Sequence, residues 1–190
     1  MARIVVFNHI SLDGYFVDRE GGMQWAHSRI GKDDAEWNSF VTENAKGKAV
    51  LMFGRKTYDM MASYWPTPMA LQSAHDVAEK MNNAPKVVFS KTMDKASWQN
   101  TRLVKGDLIS EVRKMKQAPG EDMVIFGSGT IVAQLVHAGL VDEYQFALNP
   151  IALGQGRTLF EGIKDNLSLK LTKTRPFNNG NVMLWYVPAA

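Results

Sequence analysis

The chain begins with an apolar, β-branched run over residues 3–10 that ends at the polar turn Ser11-Leu12-Asp13-Gly14. Three more short apolar runs, residues 49–53, 86–90 and 123–126, show little polar alternation. Continuous apolar runs of this length are typical of strands that are covered on both faces. The pattern therefore predicts four buried strands.

Helical patterns separate these strands. Residues 33–45 carry Trp37, Phe40 and Val41 at helical spacing, and residues 107–117 have acidic residues early and basic residues late. This charge order complements a helix dipole. Two more helices are predicted, one from Gly54 to the prolines at 66 and 68, and one from residue 127 to 137. Alternating strands and helices predict βαβ units and a mostly parallel sheet.

The pattern changes in two other regions. Residues 144–151 form an apolar run, residues 167–171 alternate, and Asn178-Asn179-Gly180 precedes the apolar run 182–187. An Asn-Gly pair between two such runs is a strong hairpin signal, so the sheet is expected to end in antiparallel strands. The stretch from Tyr15 to Gly31 has no clear period and is predicted to be a long loop that could cover a site.

Composition narrows the class of protein. Hydrophobic residues make up 45% of the 190 residues and charged residues 22%, which fits an ordinary globular protein. We predict one α/β domain over residues 1–190, with no membrane-spanning segment and no signal peptide. There is no cysteine, so disulfides and thiolate metal sites are excluded, and a cytoplasmic location is expected. The net charge of +3 is dispersed, and no nucleic-acid partner is predicted. The four histidines lack metal-ligand spacing, and no metal is predicted.

Three of the buried strands end in small or polar turns at or just before a helix start. Ligands of open α/β sheets bind at the carboxyl ends of strands, where helix N–H groups and glycines can hold phosphate. Neither a P-loop nor a complete dinucleotide fingerprint is present. Plain turns and solvated surface charges are the alternative explanation. The three turns are Gly54-Arg55-Lys56-Thr57, Ser90-Lys91-Thr92 and Gly127-Ser128-Gly129-Thr130.

Asp33 and Asp34 open the helix that carries Trp37. Acidic residues in a first turn compensate the helix dipole, which alone would explain them. Because Asp33 lies one turn before Trp37, and Asp34 lies on the same helical rows as Trp37 and Val41, either carboxylate could also sit at the edge of the apolar face and look into a cleft.

In chain order, these motifs resemble the dihydrofolate reductase superfamily, and more closely its branch related to the C-terminal reductase domain of the bifunctional riboflavin biosynthesis protein. The resemblance extends from Ile4 to Tyr186 and rests mainly on the Gly-Arg-Lys-Thr-Tyr turn and the later Gly-Ser-Gly turn. It implies a dihydrofolate reductase-like three-layer α/β/α fold, with a mixed, mostly parallel sheet and an antiparallel C-terminal hairpin. The residues that carry it are Ser11-Leu12-Asp13-Gly14, Phe53-Gly54-Arg55-Lys56-Thr57-Tyr58, Phe89-Ser90-Lys91-Thr92, Phe126-Gly127-Ser128-Gly129 and Pro150-Ile151-Ala152-Leu153-Gly154-Gln155-Gly156.

The resemblance also implies roles for particular residues. Gly54 to Thr57 and Gly127 to Thr130 would hold a pyrophosphate, and Arg55, Ser90 and Lys91 would lie near an adenosine 2′-phosphate. The expected substrate-binding residues are Leu12, Asp13, Gly14, Trp37 and Gly154. Asp34, Asp33 and Asp13 are the candidates for proton donor or substrate anchor. A side chain at Gly129 would face the pyrophosphate, so Gly129→Asp is expected to abolish cofactor binding in a folded protein.

The function expected is an NADPH-dependent oxidoreductase that transfers hydride to a C=N or C=O bond of a small-molecule substrate. One alternative is 5-amino-6-(5-phosphoribosylamino)uracil reduction in riboflavin biosynthesis, and another is an NADPH-binding sensor without turnover. A zinc deaminase activity is excluded because its cysteine ligands are absent. Residues 182–187 are apolar on both faces, so this strand is expected to be central or covered by a partner, and the resemblance suggests a homodimer.

Overall fold

The computed structural model describes residues 1–28, 34–45 and 47–189, and it shows eight strands in one large sheet and two in a small one. Short apolar runs form the strands at the centre of the large sheet, where both faces are covered. The strands are β1 (Ile4–Ser11), β2 (Tyr15–Asp18), β3 (Val50–Gly54), β4 (Lys86–Phe89), β5 (Thr101–Val104), β6 (Met123–Phe126), β7 (Glu143–Asn149), β8 (Gly156–Thr158), β9 (Leu169–Pro176) and β10 (Val182–Pro188).

Seven helices lie within the described residues. Pro66 follows the end of one helix, and Pro68 lies in the first turn of the next. The helices are α1 (Trp25–Ser28), α2 (Ala35–Ala45), α3 (Arg55–Tyr64), α4 (Pro68–Ser73), α5 (His75–Asn83), α6 (Leu108–Gln117) and α7 (Gly129–His137). None of the described helices is both long enough and apolar enough to cross a membrane.

The large sheet has the strand order β5-β4-β3-β6-β1-β7-β10-β9. The five pairings from β5 to β7 are parallel, and the pairings of β10 with β7 and with β9 are antiparallel. This confirms the predicted mixed, mostly parallel sheet with an antiparallel hairpin at its end. All six parallel strands therefore point their carboxyl ends to the same edge.

The core lies on both faces of the sheet. Val6 of β1 packs on one face with Leu135 of α7 and Val112 of α6. On the other face, Phe53 of β3 packs with Tyr58 of α3. Strand residues alternate between the faces, so helices cover the sheet on both sides. This is the predicted three-layer α/β/α arrangement.

The apolar pattern of β10 is explained within the chain. Met183 belongs to the cluster that contains Trp37 of α2, whereas Leu184 packs against the cluster on the opposite face. The strand also has β7 and β9 as neighbours. The strand is therefore an inner one, which was one of the two expected alternatives, and the homodimer stays a prediction that rests on the family resemblance.

Of the predicted loop over residues 15–31, the described part, residues 15–28, contains more regular structure than expected. It contains β2, which pairs with β8 in the small antiparallel sheet, and the short helix α1. Phe16 of β2 is buried in the main core. The expectation of an irregular loop was wrong here because a strand of four residues is too short to show a clear period in the sequence. Its partner, β8, also lies far along the chain.

Candidate functional site

Three of the predicted turns meet at one edge of the sheet. β3 is hydrogen-bonded to β4 on one side and to β6 on the other. Because these strands are parallel, Gly54, Ser90 and Gly127 lie at their neighbouring carboxyl ends. The sheet topology thus brings together the residues that the sequence places in three separate segments.

Ser128 joins two of these turns directly. Its Oγ accepts a hydrogen bond from the backbone N–H of Gly54 at 2.8 Å and donates one to Thr57 Oγ1 at 2.9 Å. Ser128 has left-handed backbone angles, with φ 59° and ψ 56°, and Gly127 before it also has φ 59°. Such angles are unusual for serine, so the hydrogen bonds help to hold a strained turn in place.

The helices that follow this bridge begin without caps. α3 starts after Gly54 and α7 after Ser128, and neither has a side-chain cap or an acidic residue in its first turn. The first N–H groups of a helix have no partner within the helix, and the dipole puts partial positive charge there. The two neighbouring helix starts are suited to an anion with more than one phosphate.

Gly129 has a different steric role from the one expected. It is buried, and a Cβ atom built there would lie 3.3 Å from the carbonyl oxygen of Leu159 and 3.6 Å from Cε1 of Phe16. A side chain would thus point into the core and not toward a phosphate. The expectation that Gly129→Asp leaves the fold intact is wrong, because the carboxylate would be buried against a carbonyl and an aromatic ring.

The cationic turns also converge. Arg55 Nη1 donates to Thr92 Oγ1 at 2.7 Å, which links the start of α3 to the turn after β4. In that turn, Ser90 Oγ accepts from the backbone N–H of Met93 at 3.1 Å. Lys56 and Lys91 are exposed. The predicted group of Arg55, Ser90 and Lys91 therefore lies at two adjacent strand ends.

Asp13 connects two loops. Its carboxylate accepts hydrogen bonds from Ser11 Oγ at 2.6 Å and from the backbone N–H groups of Gly154 at 2.7 Å and Leu153 at 3.0 Å. The bond from Ser11 and then that from Gly154 lower the pKa of Asp13 to about 2. Three donors therefore hold the carboxylate of Asp13 in a structural role, which does not favour proton donation, and its role as a substrate anchor stays a prediction.

The turn around Asp13 supports the same loop. The N–H of Leu12 donates to the carbonyl oxygen of Ile151 at 2.8 Å, and Gly14 supplies the positive φ of 85° that closes the turn. Gly154 also has a positive φ, 73°. Leu12, Asp13, Gly14 and Gly154 thus lie together, with Leu12 exposed, and their role in substrate binding stays a prediction.

The start of α2 shows a capping role for Asp34. Its Oδ1 accepts from the backbone N–H of Trp37 at 3.0 Å, three residues later, as an N-cap does. Asp33 lies outside the described residues. Trp37 is buried, and its ring contacts Phe177 edge-on with centroids 4.9 Å apart. A long surface groove runs past Gly54 and Gly127 at the sheet edge, and Trp37 lines it as part of the core.

The groove at this edge also contains a residue that the sequence reasoning missed. Asn8 of β1 is buried, and it lines the groove together with Phe7 and His9. The signal was present in the sequence, since Asn8 is a polar residue within an apolar strand. A polar residue in a strand predicted to be buried on both faces needs a partner, and this need could have marked the position.

Comparison with known proteins supports the fold. Residues 2–183 match the family described as RibD C-terminal domain. The uncharacterized protein YyaP of Bacillus subtilis is 27% identical over 97% of this chain and 94% of its own.

Two solved structures resemble the chain over essentially its whole length. A protein from Shewanella sp. PV-4 that is named for riboflavin biosynthesis has 26% identity and a TM-score of 0.77, with 100% of both chains covered. Dihydrofolate reductase of Enterococcus faecalis, in complex with NADP(H) and RAB-propyl, has 17% identity and a TM-score of 0.64, with 99% of this chain and 97% of that chain covered. The second likeness shows a shared fold. Taken with the family match over residues 2–183, these findings show that the chain belongs to the RibD C-terminal domain family.

Proposed function

We propose that residues 1–190 form one NADPH-dependent reductase domain that transfers hydride to a C=N or C=O bond of a small-molecule substrate. The observation that carries this proposal is the pair of uncapped, acid-free helix starts at Gly54 and Ser128, joined by the Ser128 hydroxyl. The similarity to a dihydrofolate reductase whose structure contains NADP(H) supports it.

The residues at the strand edge fit the phosphates of this cofactor. The N–H groups at the starts of α3 and α7 would bind the pyrophosphate, with Gly54, Lys56, Thr57, Gly127, Ser128, Gly129 and Thr130 around it. Arg55, Ser90 and Lys91 would bind the 2′-phosphate through charge-assisted hydrogen bonds. Arg55 is already held toward this position by its bond to Thr92.

When bound, NADPH supplies the hydride. A group of aromatic side chains, Phe7 and His9 of β1 and Trp37 of α2, would position the substrate and exclude water. The ring of His9 is 5.8 Å from that of Phe7 and 6.1 Å from that of Trp37. A proton must also reach the substrate. Asp34, which caps α2, and Asp33, which precedes it in the sequence, are our candidates for donating it or for anchoring the substrate.

Turnover tests this function. The protein should oxidise NADPH steadily in the presence of at least one member of a panel of pterins, pyrimidine intermediates and simple carbonyls. A thermal-shift screen with NADPH present would first select the compounds that bind, because ligands raise apparent stability. Tight NADPH binding with no oxidation across the compounds selected would favour the sensor, and absence of NADPH binding would reject both.

The family match favours one specific reductase as a second candidate. The candidate substrate for such a reductase is the riboflavin intermediate 5-amino-6-(5-phosphoribosylamino)uracil. Its phosphate would require a further anion site in the groove. Reduction of this compound at a much higher kcat/KM than any carbonyl or pterin in the panel would establish this candidate, and no reduction of it would exclude it.

A further inference from the structure

The two faces of the large sheet are covered differently at its centre. On one face, Val6 of β1 and Ile125 of β6 belong to a single cluster with residues of α6 and α7. On the other face, one cluster contains residues of α3 and α5, and a separate cluster contains residues of α2. Val5 and Val124 lie on this second face by strand alternation, and they belong to neither of its clusters as described. The packing is therefore interrupted over β1 and β6.

The floor of this interruption is apolar. Val5 pairs with Val124 in the parallel ladder of β1 and β6. Phe7 pairs with Phe126 two residues closer to the carboxyl edge, and their rings are 5.6 Å apart. Val124 is partly exposed, although β6 lies between β3 and β1 in the sheet. An inner strand of a parallel sheet normally has both faces covered, so this exposure indicates an open space above the strand.

The space is a cleft between two helices, and it continues into the proposed substrate site. α2 and α5 lie against each other, and Val41 of α2 and Val77 of α5 line the groove together with Val5 and Val124. We call this part of the groove the α2–α5 cleft. The groove also reaches Arg3, just before β1. Since Arg3 is four residues before Phe7, the cleft extends about 13 Å along the strand, away from the carboxyl edge.

We propose that the α2–α5 cleft binds an aliphatic chain of the substrate, and that the substrate is an uncharged carbonyl compound or imine with this chain beside its reducible bond. This proposal rests on the proposed function. The reducible bond would lie at the carboxyl edge, and the chain would pass Phe7 toward Val5 and Val124. Hydrocarbon is favourable against such a floor, whereas a charged group would lose its hydration there without gaining a partner. The cleft thus favours a substrate class different from the phosphate-bearing riboflavin intermediate.

A series of unbranched ketones tests the cleft by binding. 2-Butanone, 2-hexanone and 2-octanone differ only in the length of one chain, and NADP⁺ in the sample allows binding without hydride transfer. Each CH₂ that is fully buried should strengthen binding about fourfold, so 2-octanone should bind the wild type at least fiftyfold more tightly than 2-butanone. Ligand-observed NMR titration gives the dissociation constants.

Matched variants separate the cleft from general hydrophobic adsorption. Val124→Phe fills the cleft from its floor and Val41→Phe from the α2 side, so each should reduce the dependence on chain length to less than fivefold. Two positions are used because either variant alone could fail to fold. The control is Val187→Phe, since Val187 is also a partly exposed strand valine but lies outside the groove. It should keep the full dependence.

The outcomes distinguish the cleft from the reductase. No dependence on chain length in the wild type, or the same dependence in a folded cleft variant as in Val187→Phe, would overturn the cleft. Oxidation of NADPH with 2-butanone and 2-octanone at equal kcat/KM would also overturn it and would leave the reductase in place. A chain-length dependence that only the cleft variants lose, with no NADPH oxidation by any compound in the wider panel, would support the cleft as a binding site and overturn the proposed reductase.

Discussion

Three helices begin at the same edge of the sheet, and they differ in whether a side chain accepts hydrogen bonds from the free N–H groups of the first turn. α6 has Asp107 as its cap, with Oδ2 accepting from the N–H of Ser110 at 2.8 Å, and Glu111 in its first turn. α3 and α7 have neither a side-chain cap nor an acidic residue at their starts. A cap stabilises a helix by about 1 kcal/mol, so the chain forgoes this stabilisation at the two central helices.

The difference shows where a ligand is expected. α6 follows β5 at the edge of the sheet, whereas α3 and α7 follow the neighbouring central strands β3 and β6. A carboxylate at a helix start stabilises the empty protein, but it repels a bound phosphate. Helix starts without carboxylates are therefore most useful where an anion from outside the chain provides the negative charge.

Thr130→Asp would place an acidic residue in the first turn of α7, which has none. Thr130 is exposed in the first turn of this helix. A carboxylate there should leave the melting temperature unchanged or slightly higher, because it favours the helix dipole. It should weaken NADPH about a hundredfold through charge repulsion. Calorimetric titration and thermal unfolding of the same sample measure the two effects.

The matched control for this change is Ser110→Asp in the capped helix. Ser110 is exposed in the first turn of α6, next to the cap Asp107 and away from the proposed pyrophosphate, so a carboxylate there should weaken NADPH far less than one at Thr130. If the two variants weaken NADPH equally, the bare starts of α3 and α7 do not mark the anion site.

Ser128→Ala tests the bridge between the two bare helices. The change leaves the N–H of Gly54 without its acceptor, which should lower the free energy of unfolding by about 1–3 kcal/mol. We expect NADPH to bind about tenfold more weakly, because the turn loses the contacts that hold its left-handed geometry. Denaturant unfolding and titration give both values.

Thr57→Val serves as the control for the bridge, since it removes only the acceptor of the Ser128 hydroxyl and keeps the bond to Gly54. Its effect on stability should be smaller. A larger loss of stability in Thr57→Val than in Ser128→Ala would show that the bridge through Gly54 is unimportant.

Asp13→Asn gives the smallest effect and sharpens the contrast between structural and ligand-binding residues. The folded pKa of Asp13, about 2, is below its ordinary value, so its contribution to stability is complete above about pH 4 and is lost as the pH falls toward 2. The variant should be less stable than the wild type at neutral pH, and this difference should shrink between pH 4 and 2. Thermal unfolding over that range measures it, and a difference that does not change with pH would contradict the loop contacts of Asp13.

Buried strands could be predicted from the sequence, whereas partly exposed strands and helices could not. β3, β4 and β6 lie within one residue of the predicted bounds, because strands covered on both faces leave continuous apolar runs. β5 and α5 were missed. β5 is a partly exposed edge strand of four residues, and only Ala78 and Met81 of α5 are buried. These segments leave little apolar signal in the sequence.

The candidate site was predictable only in part. The turns at Gly54, Ser90 and Gly127 could be grouped because parallel strands end at one edge. The contact of Asp13 with Gly154, 141 residues away, could not be read from spacing, and neither could the Ser128 bridge to Gly54. Asp34 was read correctly as a residue at a helix start, but its bond to the N–H of Trp37 required the structure.

The central claim is that the edge formed by β3, β4 and β6 binds NADPH and reads its 2′-phosphate. Its most direct test is the ratio of the dissociation constants for NADH and NADPH in the wild type and in Arg55→Ala. We predict that NADPH binds more tightly than NADH to the wild type, and that the variant loses about ten- to hundredfold in NADPH affinity with NADH nearly unchanged. Equal losses for the two cofactors, or no preference in the wild type, would contradict this claim.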